Sequence, residues 1–279
     1  MTIIEAIILG IIQGLTEFIP ISSTAHLTVA GKLMGLISED NPERWTAFIA
    51  MIQLGTLAAV FIYFKREIVG IPKSFLTENF SKNRTKYSEQ SLDSRMGWMI
   101  ILGTIPIVIA GLAFKDFIEG SFTKELNVIA TSLIVLGIIL FIAEKTANFK
   151  KDLEKITIKD SILVGLAQCV ALIPGSSRSG TTITAGLFLG MTRETAARFS
   201  FLLSIPAILA SGLLGVKESI PYLTGGDAIN IIIATIVSGI SGYWAIHFLI
   251  SYLKNNSTYL FVIYRIIAGV LILLFINHF

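Results

Sequence analysis

The sequence predicts an all-α integral membrane protein with about six transmembrane helices and two re-entrant helical hairpins in an inverted-topology repeat. Three observations predict it. The 279 residues are 53% hydrophobic and only 15% charged, with mean hydropathy +0.76, whereas a soluble domain carries about 25% charged residues. Six apolar stretches approach the ~20 residues a helix needs to cross a bilayer. Two shorter apolar runs break off into polar stretches that look alike. A single membrane domain, 1–279, is expected, with internal repeats of roughly 1–115 and 155–279.

The six spans are expected at 48–64, 97–113, 128–143, 199–216, 229–248 and 259–277. The two short runs are 3–12, leading into "QGLTEFIPISSTAH" (13–26), and 161–173, leading into "PGSSRSGTT" (174–182). A half-span that breaks at Pro, Ser and Gly reads as a re-entrant hairpin, because broken backbone is tolerable only inside protein or beside a wet cavity. The opening MTIIEAIILG has no basic segment before its apolar run, so no cleavable signal peptide is expected.

Basic residues set the expected orientation. The 65–95 loop holds Lys65, Arg66, Lys73, Lys82, Arg84, Lys86 and Arg95, and the 144–160 loop holds five lysines. Both are expected in the cytoplasm. The poorer loops at 32–46, 115–126 and 217–228 then lie outside, as do both termini, and the two hairpins enter from opposite faces. Net charge +3 gives no reason to invoke nucleic acid, and the single cysteine, Cys169, excludes an intramolecular disulfide or a cysteine metal cluster.

The hairpins align. "GIIQGLTEFIPISSTAHLTVAG" (10–31) matches "GLAQCVALIPGSSRSGTTITAG" (165–186) with a one-residue slip before the proline. That register sets Gln13 on Gln168, Ser22 and Ser23 on Ser176 and Ser177, and Thr24 on Arg178. "FIAMIQLGTLAA" (48–59) likewise matches "FSFLLSIPAILA" (199–210). Inverted repeats place their site at the repeat interface near the midplane. The two hairpin tips are therefore expected to build one polar pocket.

Gln13 and Glu17 are four apart and share one helix face, where their oxygens suit a hard divalent cation. An intramembrane carboxylate is functional by default. Pro20 ends the half-helix, and Ser22, Ser23 and Thr24 fall at the turn, as helix caps or with one serine as a nucleophile. His26 is the one histidine set among other polar groups; His247 lies late in a span and His278 at the terminus. In the second hairpin, Gly175, Ser176, Ser177 and Thr182 surround Arg178, whose fork suits phosphate, and N–H groups at a helix start can cradle phosphate oxygens. The stretch lacks the lysine and the preceding strand of a P-loop, which excludes an NTPase. Carboxylate, hydroxyl, imidazole and arginine together make a phosphate-ester or phosphoanhydride site, and its burial between membrane helices implies a lipid-borne phosphate.

These motifs, with "RFSFLLSIPA" (198–207), resemble the undecaprenyl-diphosphate phosphatase family, also called the bacitracin-resistance or BacA/UppP family, over essentially the whole chain. The resemblance implies removal of the terminal phosphate from the C55 isoprenoid diphosphate. This regenerates the monophosphate carrier for peptidoglycan synthesis in the bacterial plasma membrane, at a site reached from the outer face. It implies Gln13 and Glu17 as metal ligands, Ser23 and His26 as the catalytic pair, and Ser177, Arg178 and Thr182 in the arginine motif. Gln13 is the less acidic of the family's two options, which leaves Glu17 as the main charged ligand. The expected cofactor is a divalent cation, Mg²⁺ or else Ca²⁺. The expected mechanism has Arg178 and the 175–182 backbone hold the phosphates, Ser23 attack phosphorus, and His26 act as base. Within that pair His26, or water, is the alternative nucleophile. The competing class is a transporter of the lipid monophosphate, which needs the cradle but no nucleophile. Both monomer and homodimer fit the sequence.

Overall fold

The computed structural model describes residues 1–279 apart from 39, 83, 220–224 and 277–279, and within helices it leaves out the side chains of 119, 218, 219 and 225–227. The described residues form twelve α-helices and no strand. In the first half these are α1 (Ile3–Phe18), α2 (Ser23–Leu33), α3 (Pro42–Tyr63), α4 (Lys65–Phe80), α5 (Leu92–Ala113) and α6 (Lys115–Glu119). The second half has α7 (Leu126–Thr146), α8 (Ile158–Cys169), α9 (Arg178–Phe188), α10 (Arg193–Ser219), α11 (Gly225–Leu253) and α12 (Tyr259–Leu274).

Five of these helices are long and apolar enough to span a membrane: α3, α5, α7, α10 and α11. The sixth expected span, 259–277, is 16 residues in α12; its last residue, like His278 and part of the 217–228 loop, lies outside the described residues. The 65–95 segment is not wholly loop. Ile68, Ile71 and Phe75 recur at helical spacing and fold α4 onto α5, while Val69, Leu76 and Phe80 stay exposed.

The polar stretches form two matching helix–turn–helix units. Thr2 and Glu5 make a capping box on α1, and Thr157 with Asp160 makes one on α8. Ser22 caps α2 and Ser177 caps α9, and both serines hold positive φ, +75° and +68°. α2 and α9 both end in a Schellman turn, with Gly35 and Gly190 in the left-handed region. Ile3 and Ile158, Ser23 and Arg178, and Leu33 and Phe188 are each 155 positions apart. The match therefore runs without the slip that the sequence suggests. Ser22 corresponds to Ser177, and Ser23 to Arg178. Two prolines had drawn the sequence alignment together, but the cap geometry fixes the register. The link from α2 to α3 is longer than the one from α9 to α10, which shifts the later match of 48–59 with 199–210.

Each unit packs closely on one long helix. α1 buries Ala6, Leu9, Gly10, Gln13, Gly14 and Glu17 and leaves Ile4, Ile7, Ile8, Ile11 and Leu15 exposed. Its buried face lies on α11, α8 lies on α5, and α3, α10 and α11 complete the bundle. At Gly165 a side chain would strike the Gly103 carbonyl, so the α5–α8 approach requires glycine there. Phe18, Phe64 and Phe201 stack edge to face beside the first turn, with centroids 5.1 and 6.1 Å apart, and give it a rigid floor.

Candidate active site

Glu17 sits in the last turn of α1, with its side chain only 4% exposed. Isolated, such a carboxylate would be costly to bury. Here both oxygens are engaged. Oε2 accepts from Gln13 Nε2 at 3.0 Å and from Ser23 Oγ at 2.6 Å, and Oε1 accepts from Arg178 Nη2. Gln13 reaches it because residues four apart share a helix face. Ser23 reaches it because Pro20 and the left-handed Ser22 fold the chain back, so that the first residue of α2 faces the last turn of α1.

The second unit delivers Arg178 as the first residue of α9, the place that Ser23 has in α2. Ser179 Oγ, 3.3 Å from the Ile19 carbonyl oxygen, ties the start of α9 to the end of α1. Thr182 Oγ1 donates to the Arg178 carbonyl at 2.8 Å and pairs with Ser200 Oγ on α10 at 2.6 Å.

A cleft of about 190 Å³ opens between the turns, lined from the first by Glu17, Ser22, Ser23 and Thr24 and from the second by Gly175, Ser177 and Arg178. At about 30 Å³ per water it has room for a phosphate group with some water. The N-termini of α2 and α9 both start at this cleft. Their first-turn N–H groups and dipoles favour an anion. An apolar groove of about 440 Å³ runs on between α3, α5 and α10, sharing Ile107, Leu172, Ala207 and Ser211 with the cleft; Lys115 lies on its wall. The combined shape is a polar head site joined to an apolar trough.

Of the expected site residues, Glu17, Ser23, Thr24, Gly175, Ser177 and Arg178 line the cleft. Gln13 stands behind Glu17. Ser176 and Thr182 do not line it. Ser176 is fully buried with Oγ on the Ile173 carbonyl, and Thr182 braces α9 on α10. His26 is not brought to Ser23. Its Nδ1 lies 2.7 Å from the Ser22 carbonyl oxygen, and its Nε2 lies 2.6 Å from the Tyr264 hydroxyl, with the two rings stacked at 5.6 Å. A carbonyl only accepts, so Nδ1 carries the proton and Nε2 accepts from tyrosine. Three residues along α2 from Ser23, the ring turns back along its own helix to the turn and across to α12.

Two residues were missed. Gln53 of α3 also lines the cleft. Arg265 of α12 is fully buried and donates to main-chain carbonyls: Ser176 at 2.9 Å, Pro20 and Leu133 at 3.3 Å, and Ser132 and Gly175 at 3.5 Å. The signal for both was a lone amide or charge inside an apolar span.

A metal at this site can be tested against its donors. Gln13 Oε1 is buried without a hydrogen-bond partner, on an amide whose Nε2 faces the Glu17 carboxylate. Two hard oxygens suit Mg²⁺ or Ca²⁺, and Mg²⁺ in particular takes few protein ligands with phosphate and water for the rest. Among the described residues no group of three or more His, Cys, Asp or Glu could hold a metal. The donors therefore fit a cation shared with a phosphorylated ligand, not a closed protein cage.

Comparison with known proteins gives the chain its relatives. The family model described as "Bacitracin resistance protein BacA" matches residues 6–271. A protein of Syntrophobacter fumaroxidans named "Undecaprenyl-diphosphatase" is 55% identical over 269 residues, covering 96% of this chain and 95% of its own. Proteins with the same name from Chloroherpeton thalassium and Myxococcus xanthus are 54% and 45% identical, with 98% and 99% of this chain and 96% and 90% of theirs covered.

Proposed function

The chain belongs to the BacA family, and from that premise we propose that it is an undecaprenyl-diphosphate phosphatase. It hydrolyses the terminal phosphate from the C55 isoprenoid diphosphate and leaves the monophosphate carrier. The observation that carries this reading is Glu17, bonded to Ser23 and Arg178 together, in a polar cleft that opens into an apolar trough. The diphosphate takes the cleft and the first part of the prenyl chain takes the trough.

The chemistry follows from these contacts. The incoming diphosphate draws Arg178 away from Glu17, and the fork binds the phosphate oxygens. Glu17 Oε1 is then released, while Oε2 keeps its bond to Ser23 Oγ. Ser23 Oγ attacks the terminal phosphorus while its proton passes to Glu17 Oε2, the atom it already contacts. The bond from phosphorus to the bridging oxygen breaks, and the lipid monophosphate leaves with the electron pair. Glu17 returns its proton to the departing phosphate. Water then attacks the phosphoserine and gives its proton to Glu17, the bond from phosphorus to Ser23 Oγ breaks, Glu17 returns the proton to Oγ, and inorganic phosphate is released. Arg178 and the N–H groups at the starts of α2 and α9 stabilise charge in both transfers. Glu17 and Gln13 would hold a divalent cation, which when bound neutralises diphosphate charge. Thr24, Ser177 and Gly175 complete the cradle. Ser176 and Thr182 support it from behind. His26 belongs to the first turn in this reading: it fastens the Ser22 carbonyl and so directs Ser23.

We also read the two units as an inverted repeat of half-spanning hairpins, the first reaching in from the outer face of the plasma (inner) membrane. The uniform spacing of 155 and the paired caps support a repeat, and the lysine and arginine bias of the loops supports its inversion. In the cell, carrier recycling for peptidoglycan synthesis and bacitracin resistance follow from the reaction. A lipid transporter has no use for a serine bonded to a buried carboxylate, so transport is not favoured.

The test is an acid-quenched turnover of purified protein with C55 diphosphate labelled on its terminal phosphate. The expected result is label on the Ser23 peptide and phosphate release that EDTA slows. Turnover with no phosphate-bearing protein at any quench time points instead to direct attack by water.

A further inference from the structure

We propose that Arg265 is a positioning residue for the phosphate cradle, holding the turn peptides so that the Ser177 N–H faces the cleft. The inference rests on the phosphatase reading of that cleft.

Arg265 is the lone charged residue of α12 and has no contact with solvent. Among the described residues it has no carboxylate partner; its acceptors are all main-chain carbonyls. Three of them belong to the turns: Pro20 in the first, Gly175 and Ser176 in the second. The other two, Ser132 and Leu133, anchor the guanidinium to α7. One side chain therefore ties both turns to the α7–α12 pair, behind the cleft.

The shortest of these bonds, 2.9 Å to the Ser176 carbonyl, has a direct consequence. The peptide between Ser176 and Ser177 is trans, so its C=O and N–H point opposite ways. With the carbonyl turned to Arg265, the N–H of Ser177 is turned away from α12. Ser177 lines the cleft, and this N–H has no acceptor among the described residues. It is an unused donor on a cleft-lining residue, beside the starts of α2 and α9.

Ser177 has φ +68°, a region that favours glycine. The matching Ser22 holds +75° with Arg265 on the Pro20 carbonyl, one peptide earlier, so the turn itself sets φ and Arg265 fixes the orientation of the Ser176 carbonyl that it bonds. A planar fork spreads its donors over three nitrogens and so spans carbonyls of two turns and a third helix; a lysine gathers its three donors on one nitrogen. Arg265 also adds a second buried positive charge to Arg178 against the single carboxylate of Glu17, a balance that a bound diphosphate completes.

The test uses the full-length protein with C55 diphosphate as substrate and inorganic phosphate as inhibitor. In Arg265→Lys, kcat should fall at least tenfold and phosphate should inhibit at least tenfold more weakly. KM for the lipid should change less than threefold, because the apolar trough is untouched. Gly180→Ala is a second variant: its new Cβ would lie 2.5 Å from Arg265 Nη1, but also 3.0 Å from Ser177 Cβ, so it presses on the fork and on the cradle together. It should show the same split between kcat and KM, and Arg265→Gln, which touches Ser177 in no new way, decides if Arg265→Lys does not fold. A folded variant that keeps kcat and phosphate inhibition within twofold of the parent overturns the proposal. So does a loss confined to thermal stability. Turnover by the parent protein in the same assay keeps the questions apart: an inactive parent refutes the phosphatase reading, whereas an active parent with indifferent variants refutes only the role of Arg265.

Discussion

Arg178, the first residue of α9, donates to the carboxylate of Glu17, in the last turn of α1, across 161 positions of sequence. The pair joins the two helix–turn–helix units at the point where both turns break. Neither residue can be buried there without the other, because breaking a buried pair leaves an uncompensated charge.

Substitution at either end should separate charge from geometry. Glu17→Gln removes the base and should lower turnover by roughly 10²-fold or more. Arg178→Lys should fall by a similar factor, since the charge is kept but not the bidentate fork. Phosphate release from C55 diphosphate, normalised to folded protein, measures both. Near-parent rates for Arg178→Lys would reduce the arginine to a counter-charge.

Ser22 and Ser23 are neighbours with different tasks. Ser22 Oγ accepts from Ala25 N at 3.3 Å and caps α2. Ser22→Ala should therefore cost on the order of 1 kcal/mol of stability, read as a lower melting temperature, with turnover per folded molecule largely kept. A collapse of turnover without a change in melting would place Ser22, not its neighbour, at the phosphorus.

His26 holds the Ser22 carbonyl through Nδ1 and takes the Tyr264 hydroxyl at Nε2. As a support it should matter less than the nucleophile. His26→Gln is expected to retain at least about tenfold more activity than Ser23→Ala, because loss of an activated nucleophile removes more than loss of its positioning. Tyr264→Phe should stay close to the parent rate. Equal losses in His26→Gln and Ser23→Ala, measured at several pH values, would return the imidazole to proton transfer.

The topology can be read by labelling. Single cysteines at 40, 85 and 150 in a Cys169→Ala background should separate, with 85 and 150 accessible from the cytoplasm and 40 from outside, following the lysine and arginine bias of their loops. Labelling of 40 and 85 from one side is incompatible with hairpins that enter from opposite faces.

Much of the site was legible because it is built twice. The matching polar stretches placed Glu17 and Arg178 in one pocket before any coordinates. The register was not legible, because prolines aligned where caps do not: the left-handed serines, 22 and 177, set the correspondence. His26 illustrates a second limit. Sequence spacing put it near Ser23, but the direction of a side chain depends on what else it can bond, here a carbonyl and a distant tyrosine. Gln53 lies inside the matched stretch 48–59 but without another polar group beside it, Arg265 is the lone charge of α12, and only packing shows what they face. α4 was hidden by its basic residues, which read as loop although Ile68, Ile71 and Phe75 keep helical spacing.

The central claim is that Ser23, bonded to Glu17, is the nucleophile, and steady-state turnover of Ser23→Ala tests it most directly. With purified protein, C55 diphosphate and folding checked independently, phosphate release should fall by roughly 10³-fold or more. Release at the parent rate would contradict the account and hand the attack to water or to His26.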